Sequence, residues 1–538
     1  MKKTRWIGAA ALAGMLVVCA GAGMLYSGWH QQEIRSAYSQ PLAAAPWEED
    51  PTAGIDVENG YTVSSDFTTH LPLVILDLDE GEPPISTMRD PVDPGRFIPI
   101  EGVDPYVSGT FFLVDNGSGV NRASDSPALT SRMNIKRRGN TSMLYDKAQW
   151  LVKLVTESGQ DNDLDVLGMG AEHEWVLNGS LADKSLIRNY LVYSIASEFM
   201  PYTPDFVFCE VLLKENGVLY YHGVYLLGEN LKIGPNRVDV GGESSRQETS
   251  YLVRRDRYDE EGCMLQTYAR EMGYSKEYFG LISPSAKNRS EEMIQYVEQD
   301  LSEVEQVLYS QDLSLFDTYA EYIDVDSFVD YFLVNEFFGS YDSGNYSTYA
   351  YKEVGGKLSL GPVWDYDGTI DNYLFEPLST KDIAFQTKPW FDCLCKDRSF
   401  VQKLIDRYAQ LRKTSLSENH INEKINEIIA HLGGAEEREW TRWGAFYTGE
   451  QKTGSEINLQ DYVLEDGTVL HRNAETFEEE LYRIRTALFD HGDQIPQALE
   501  DLREAASLDS AAVSLRHWML LLAALVFLIP SLWVALRR

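Results

Sequence analysis

Residues 361–369 read Gly-Pro-Val-Trp-Asp-Tyr-Asp-Gly-Thr. Two carboxylates, Asp365 and Asp367, stand one residue apart behind an apolar run and in front of Gly368. Asp and Gly are common turn residues, so the simplest reading is a turn. A second acidic loop lies upstream, Gly339-Ser340-Tyr341-Asp342-Ser343-Gly344-Asn345-Tyr346. Between the loops, Tyr346–Tyr351 and Lys357–Val363 flank Gly355-Gly356, which predicts a hairpin. The apolar run from Asp326 to Phe338 predicts a helix ahead of the first loop.

Three chemistries fit an Asp-x-Asp-Gly pair. Asp365-Tyr366-Asp367-Gly368-Thr369 resembles the first motif of haloacid dehalogenase phosphatases, with Asp365 as nucleophile. That motif opens a parallel α/β fold, whereas helices follow here. Asp365, Asp367, Asp371 and Glu376 occupy positions 1, 3, 7 and 12 of a calcium-loop window, but Ile370 stands where the turn glycine belongs. The third reading uses both loops. A helix, an acidic loop with Asp and Asn, a hairpin and a second acidic loop follow one another as in protein kinases. There one Asp receives the hydroxyl proton, and an Asn and a later Asp hold the metal on the nucleotide phosphates.

Outward from these loops, strand and helix signals segregate along the chain. Alternating runs at 72–77, 110–114, 133–136 and 150–154 predict antiparallel strands. Phe206–Lys214 and Val218–Gly228 flank Asn216-Gly217, a tight-hairpin signal. Helices are predicted at 182–199, capped by Asp183, and from Ser290, with Met293, Val297, Leu301, Val304 and Leu308 on one face. Further helices are predicted over 399–432 and 474–505. Strands first and helices later predict an α+β fold with an antiparallel sheet.

The chain has 538 residues, 44% hydrophobic and 24% charged, a globular balance with room for more than one domain. Its formal net charge of −36 repels phosphate backbones, which argues against nucleic-acid partners and for basic ones. Lys2, Lys3 and Arg5 precede an almost charge-free run to about Tyr26, read as an N-terminal signal anchor. Trp518 to Leu536 carries no charge and ends in Arg537-Arg538, read as a transmembrane helix. Basic residues stay on the cytoplasmic side, so both termini are expected in the cytoplasm and the region between them outside, at the cell membrane. Cys209, Cys263, Cys393 and Cys395 give no zinc spacing and no readable pairing.

Several stretches, taken in order, resemble the spore coat protein H (CotH) kinase family of atypical bacterial protein kinases. They are Lys136-Arg137-Arg138-Gly139-Asn140-Thr141-Ser142, Asn178 to Asn189, His222 to Glu229, Asp326 to Asn335, Tyr341-Asp342 and Pro362 to Asp367. The resemblance implies a kinase-like fold and transfer of phosphate from ATP, with Mg2+ or Mn2+, to Ser or Thr of a protein. The acceptor would be a spore-coat or cell-surface protein, basic and rich in Ser or Lys. By position Asp342 would be the catalytic aspartate. Asp365, Asp367 and Asn345 would hold the metal. Arg138, Asn140 and Lys147 would sit near the phosphates with Lys153 behind them, and Glu229 would face the adenosine or pair with a lysine. Asn345 follows Asp342 by three residues, where typical protein kinases leave five. Arg188 is read as an internal ion pair or a phosphate ligand.

The expected organisation is a signal anchor over 1–29, a linker over 30–66 and a small β-rich region over 67–125. A kinase-like domain over 126–432, a helical extension over 433–515 and a transmembrane helix over 516–538 follow. The competing readings are a non-catalytic kinase-like scaffold, the phosphatase, and transfer of a nucleotidyl group.

Overall fold

The computed structural model describes residues 38–508, apart from 94–95, 242–247, 260–261, 379–381 and 465. The two apolar termini read as membrane segments lie outside the described residues. Within those residues, no helix is long and apolar enough to cross a membrane.

Seven strands close on themselves: β1 (Leu73–Leu78), β2 (Val107–Val114), β3 (Leu129–Arg137), β4 (Trp150–Val155), β5 (Glu174–Asn178), β6 (Phe206–Glu215) and β7 (Val218–Glu229). The order is β7-β5-β4-β3-β2-β1-β6, and β6 pairs back onto β7, so the sheet is a barrel. The expected Asn-Gly hairpin joins β6 to β7. Asn216 and Gly217 take positive φ values of 50° and 82°, which suit the right-handed twist of the strands. One pair, β1 with β6, is parallel, with Val74 opposite Val211. The all-antiparallel expectation is corrected at that seam. The strand periodicity of two sends alternate side chains inward. The interior is filled by Val74, Leu76, Phe111, Leu113, Met133, Ile135, Trp150, Val152, Leu154, Trp175, Leu177, Val211 and Leu227. Residues 67–125 contribute two of the seven staves.

A second sheet follows, built from β8 (Tyr251–Asp256), β9 (Met264–Leu265), β10 (Tyr278–Ser283), β11 (Thr348–Lys352) and β12 (Ser359–Leu360), in the order β9-β10-β8-β11-β12. The principal helices are α1 (Arg188–Ala196), α2 (Glu291–Leu308), α3 (Val325–Phe337), α4 (Arg398–Leu411), α5 (Glu418–Leu432), α6 (Gly434–Tyr447) and α7 (Phe477–Ala505). The expected cap Ser290 accepts from the Met293 amide, and Val297, Leu301 and Val304 are buried. One large apolar core joins α1 to α5, α7 and the second sheet. The expected α+β class holds, with strands toward the N-terminus and helices toward the C-terminus.

Helix α6 seals against the barrel. Glu439 on it accepts from Lys147 Nζ at 2.6 Å, from the Val224 amide at 2.7 Å and from the Tyr447 hydroxyl at 2.6 Å. Gly223 permits this approach, because a Cβ there would lie 2.5 Å from the Glu439 carboxylate and 2.9 Å from the Trp443 indole nitrogen. Arg438, one residue before, pairs with Glu210 of β6 at 2.8 Å. The cysteines at 209, 263, 393 and 395 are free thiols.

Candidate active site

The barrel register brings the end of β3, the start of β4 and the end of β5 to one rim, since Arg137 and Leu177 both pair with Trp150. Arg138 and Ser180 leave that rim. Strand β12 runs antiparallel to β11, with Ala350 opposite Leu360. The chain beyond β12 therefore travels back beside the residues that precede β11. The two acidic loops meet as a result, and Ser347 Oγ donates to the Asp365 carboxylate at 3.0 Å.

The Asp365 loop is pinned from several sides. Asp365 has φ 71°, in the left-handed region, as do Ile370 at 54° and Asp371 at 58°. Surrounding structure must hold such residues, because each conformation costs roughly 1–3 kcal/mol. The Asp365 amide donates to the Tyr193 hydroxyl at 3.1 Å, and the Tyr366 amide donates to Asn189 Oδ1 at 2.7 Å. The Tyr366 hydroxyl donates to Asn335 Oδ1 of α3 at 2.9 Å. Arg188 is fully buried, donates to the carbonyls of Thr369 and Ile370, and pairs with Asp183 at 2.7 Å and Glu480 at 2.6 Å. Ser180 Oγ donates to Asp367, whose carbonyl accepts from Asn372 at 2.7 Å.

The Asp342 turn is held as firmly. The amides of Asn345 and Tyr346 donate to the Asp342 carbonyl at 3.1 and 2.8 Å. Gly344 donates to Thr348 Oγ1 at 2.6 Å, and its carbonyl accepts from Arg255 Nη1 at 3.0 Å. Arg255 is itself sandwiched between Phe279 and Trp390, its guanidinium 4.6 and 4.2 Å from their ring centres. Asp342 keeps contact with solvent while protein crowds its other sides.

Burial pushes the carboxyls of Asp342, Asp365 and Asp367 above the ordinary range. The charge of Asp365 adds to the rise on both Asp342 and Asp367, while Arg138 pulls Asp365 the other way. Like charges held together are unfavourable unless a cation joins them. Arg138 lies over the Trp364 ring at 5.1 Å. Arg254 and Arg257 approach Asp256 at 3.2 and 3.9 Å, and Arg257 lies 3.8 Å over the Tyr346 ring. Lys388 donates to the Tyr341 carbonyl, beside Asp342.

The donor set fits a divalent cation shared with a phosphate. Among the described residues, the set whose ligand atoms all lie within 4.8 Å of one another is Asp163, Glu172 and His173; Asp342, Asp365 and Asp367 do not form such a cage. A magnesium-type site does not need one, since one or two carboxylates plus substrate phosphates suffice. Asp365 and Asp367 can supply the carboxylates. Arg138, Arg254 and Arg257 can face the phosphates.

The CotH kinase protein family matches residues 135–470, more than half of the chain. The chain belongs to that family. No curated protein matches it.

The sequence-predicted residues divide into two groups. Asp342, Asn345, Asp365, Asp367 and Arg138 come together. Asn140 begins the short turn helix Thr141–Leu144 next to Arg138. Lys147 has no exposed surface and its ammonium is bound to Glu439, so its partner is a helix of the chain itself. Lys153 lies on the barrel exterior, paired with Glu174 at 2.7 Å. Glu229 is buried against Arg237 at 2.7 Å and accepts from the Asp205 amide. Arg188 is the internal ion pair. The calcium-loop reading fails because Asp371 is held by Arg472 and Arg483 at 3.3 and 2.7 Å. The phosphatase reading fails because the strand before Asp365 is antiparallel to its neighbour. Arg254, Asp256, Arg257, Ser347, Ser180 and Lys388 were not expected at the site. The run Arg254-Arg255-Asp256-Arg257 carried a signal, since four charges in a row at a strand end demand partners.

Proposed function

We propose that this protein is an ATP- and divalent-metal-dependent kinase that phosphorylates Ser or Thr of a protein. The observation that carries the reading is the meeting of the Asp342 turn with the Asp365–Asp367 loop, where Ser347 Oγ donates to Asp365 at 3.0 Å and the Asp365 charge adds to the burial that pushes up Asp342 and Asp367. Asp342, open to solvent, receives the proton of the acceptor hydroxyl. Asp365 and Asp367, with Asn345 on the turn of Asp342, hold Mg2+ or Mn2+. Bound metal would neutralise charge on the transferring phosphoryl group. Arg138, Arg254 and Arg257 orient the phosphates, and Arg188 and Asn189 keep the metal loop in place. A scaffold without catalysis has no use for clustered carboxylates that repel one another.

Asp342→Ala and Asp365→Ala, beside the unaltered full chain, test this with γ-labelled and α-labelled ATP in parallel. Label from the γ position alone, lost in both variants, supports the kinase. Label from the α position means nucleotidyl transfer. Absence of both label and calorimetric nucleotide binding leaves the scaffold. The location at the cell membrane, with the folded region outside and both termini in the cytoplasm, is part of the same proposal. It rests on the basic residues at the two apolar ends. Protease protection of tagged termini in intact cells tests it.

A further inference from the structure

Beside Asp342 the surface carries an aromatic ledge. Tyr341, the residue before Asp342, stacks on Tyr373 with ring centres 4.2 Å apart and planes at 15°. Tyr373 in turn meets Phe375 edge-on at 5.7 Å. Phe375 is 58% exposed, although a large apolar ring gains by burial. The ledge is not a loose loop. Arg472 donates to the carbonyls of Tyr373 at 2.7 Å and Leu374 at 3.5 Å. The Leu374 carbonyl also accepts from the Gln460 amide, and the Tyr341 hydroxyl donates to the Pro377 carbonyl at 3.0 Å. Glu376 stands exposed next to Phe375. Burial, then the charges of Asp342 and Glu376, push up the Tyr373 phenol, which places both carboxylates close to the ring.

We infer that Tyr341, Tyr373, Phe375 and Glu376 form the acceptor-docking surface, and that its occupant is an extended, basic segment of a protein. The inference rests on the kinase reading of Asp342. A rigid aromatic face supplies contact area at small entropic cost. Glu376 and the net charge of −36 select a cation next to the acceptor hydroxyl. Asp371 does not compete for that cation, because Arg472 and Arg483 already hold it.

The test is direct binding, read apart from catalysis. A fluorescein-labelled peptide with one Ser between Lys residues, and a matched peptide with Asp in place of Lys, are titrated by anisotropy into the full chain, Phe375→Ala and Glu376→Lys. The expected result is that Phe375→Ala weakens the Lys peptide about tenfold, and that Glu376→Lys inverts the preference between the two peptides. Both residues are exposed, so both variants fold, and unchanged thermal unfolding checks this. No binding of the Lys peptide to the unaltered chain, or equal binding by all three proteins, overturns the inference. Peptide binding that follows the expected pattern while no label is transferred overturns the kinase reading and leaves the ledge as a docking surface.

Discussion

The α6–barrel junction and the acidic cleft both bring carboxylates into crowded protein, with opposite outcomes. At the junction every charge has an answering one: Glu439 meets Lys147, and Glu210 meets Arg438, all four without exposed side-chain surface. In the cleft burial pushes up Asp342, Asp365 and Asp367, the charge of Asp365 adds to the rise on the other two, and Arg138 is the cation that opposes the rise on Asp365 most. The junction is arranged for the folded chain alone. Under the proposed kinase function, the cleft would be completed by a cation and an anion that the chain does not supply. Stability is set aside where the backbone is also strained, at Asp365, Ile370 and Asp371.

The largest expected effect lies in the cleft. Asp342→Ala lowers the rate of phosphoryl transfer by roughly 10²–10⁴-fold and leaves thermal unfolding unchanged or slightly raised, because it removes a charge that its neighbours oppose. Steady-state kinetics and calorimetry on one preparation check both halves. A large loss of stability with this substitution would erase the contrast.

At the junction the effect belongs to stability. Lys147→Met strands Glu439 and costs about 3–5 kcal/mol, whereas Lys147→Met combined with Glu439→Leu recovers much of it. Urea unfolding of the single and double variants gives the coupling. If Lys147→Met abolished nucleotide binding while stability held, Lys147 would belong with the phosphates, as its place in the sequence suggested.

This pair shows what the sequence could and could not convey. The strands and the Asn216-Gly217 hairpin were legible because alternation and turn chemistry act between near neighbours. The two acidic loops were legible as one site because a single hairpin connects them. The closure of the barrel was not, because β1 joins β6 in parallel from far upstream. The pairing of Lys147 was not legible for the same reason: its partner lies 292 residues away. No local pattern marks Glu439 as different from any helical glutamate. Arg138 was legible because it follows directly on a strand end.

A third substitution probes the link between the regions. Burial alone would raise the Glu480 carboxyl on α7, but Arg188 and Arg483 outweigh it and hold it down to about 2. A folded-state value below the ordinary 4.5 means the contribution is fully present above about pH 4.5 and is lost as pH falls toward about 2. It is on the order of 3 kcal/mol. Chemical unfolding between pH 5 and about 3 should therefore show a steeper loss for the unaltered protein than for Glu480→Gln. Equal slopes would remove Glu480 from the acid response and leave Arg188 to Asp183.

The smallest effect is expected at Lys153, and it decides where the cleft ends. Its ammonium lies on the barrel exterior, partly exposed and paired with partly exposed Glu174. Pairs of this kind contribute about 0–1 kcal/mol. Lys153→Ala should leave nucleotide affinity and transfer within about twofold of the unaltered chain and shift stability by less than ~1 kcal/mol. Isothermal titration with a magnesium–nucleotide complex is the sensitive readout. A clear loss of affinity would carry the phosphate path from the rim at Arg138 onto the outer wall of the barrel. The uncompensated charge of the cleft would then face a wider site than Asp342, Asp365 and Asp367 define.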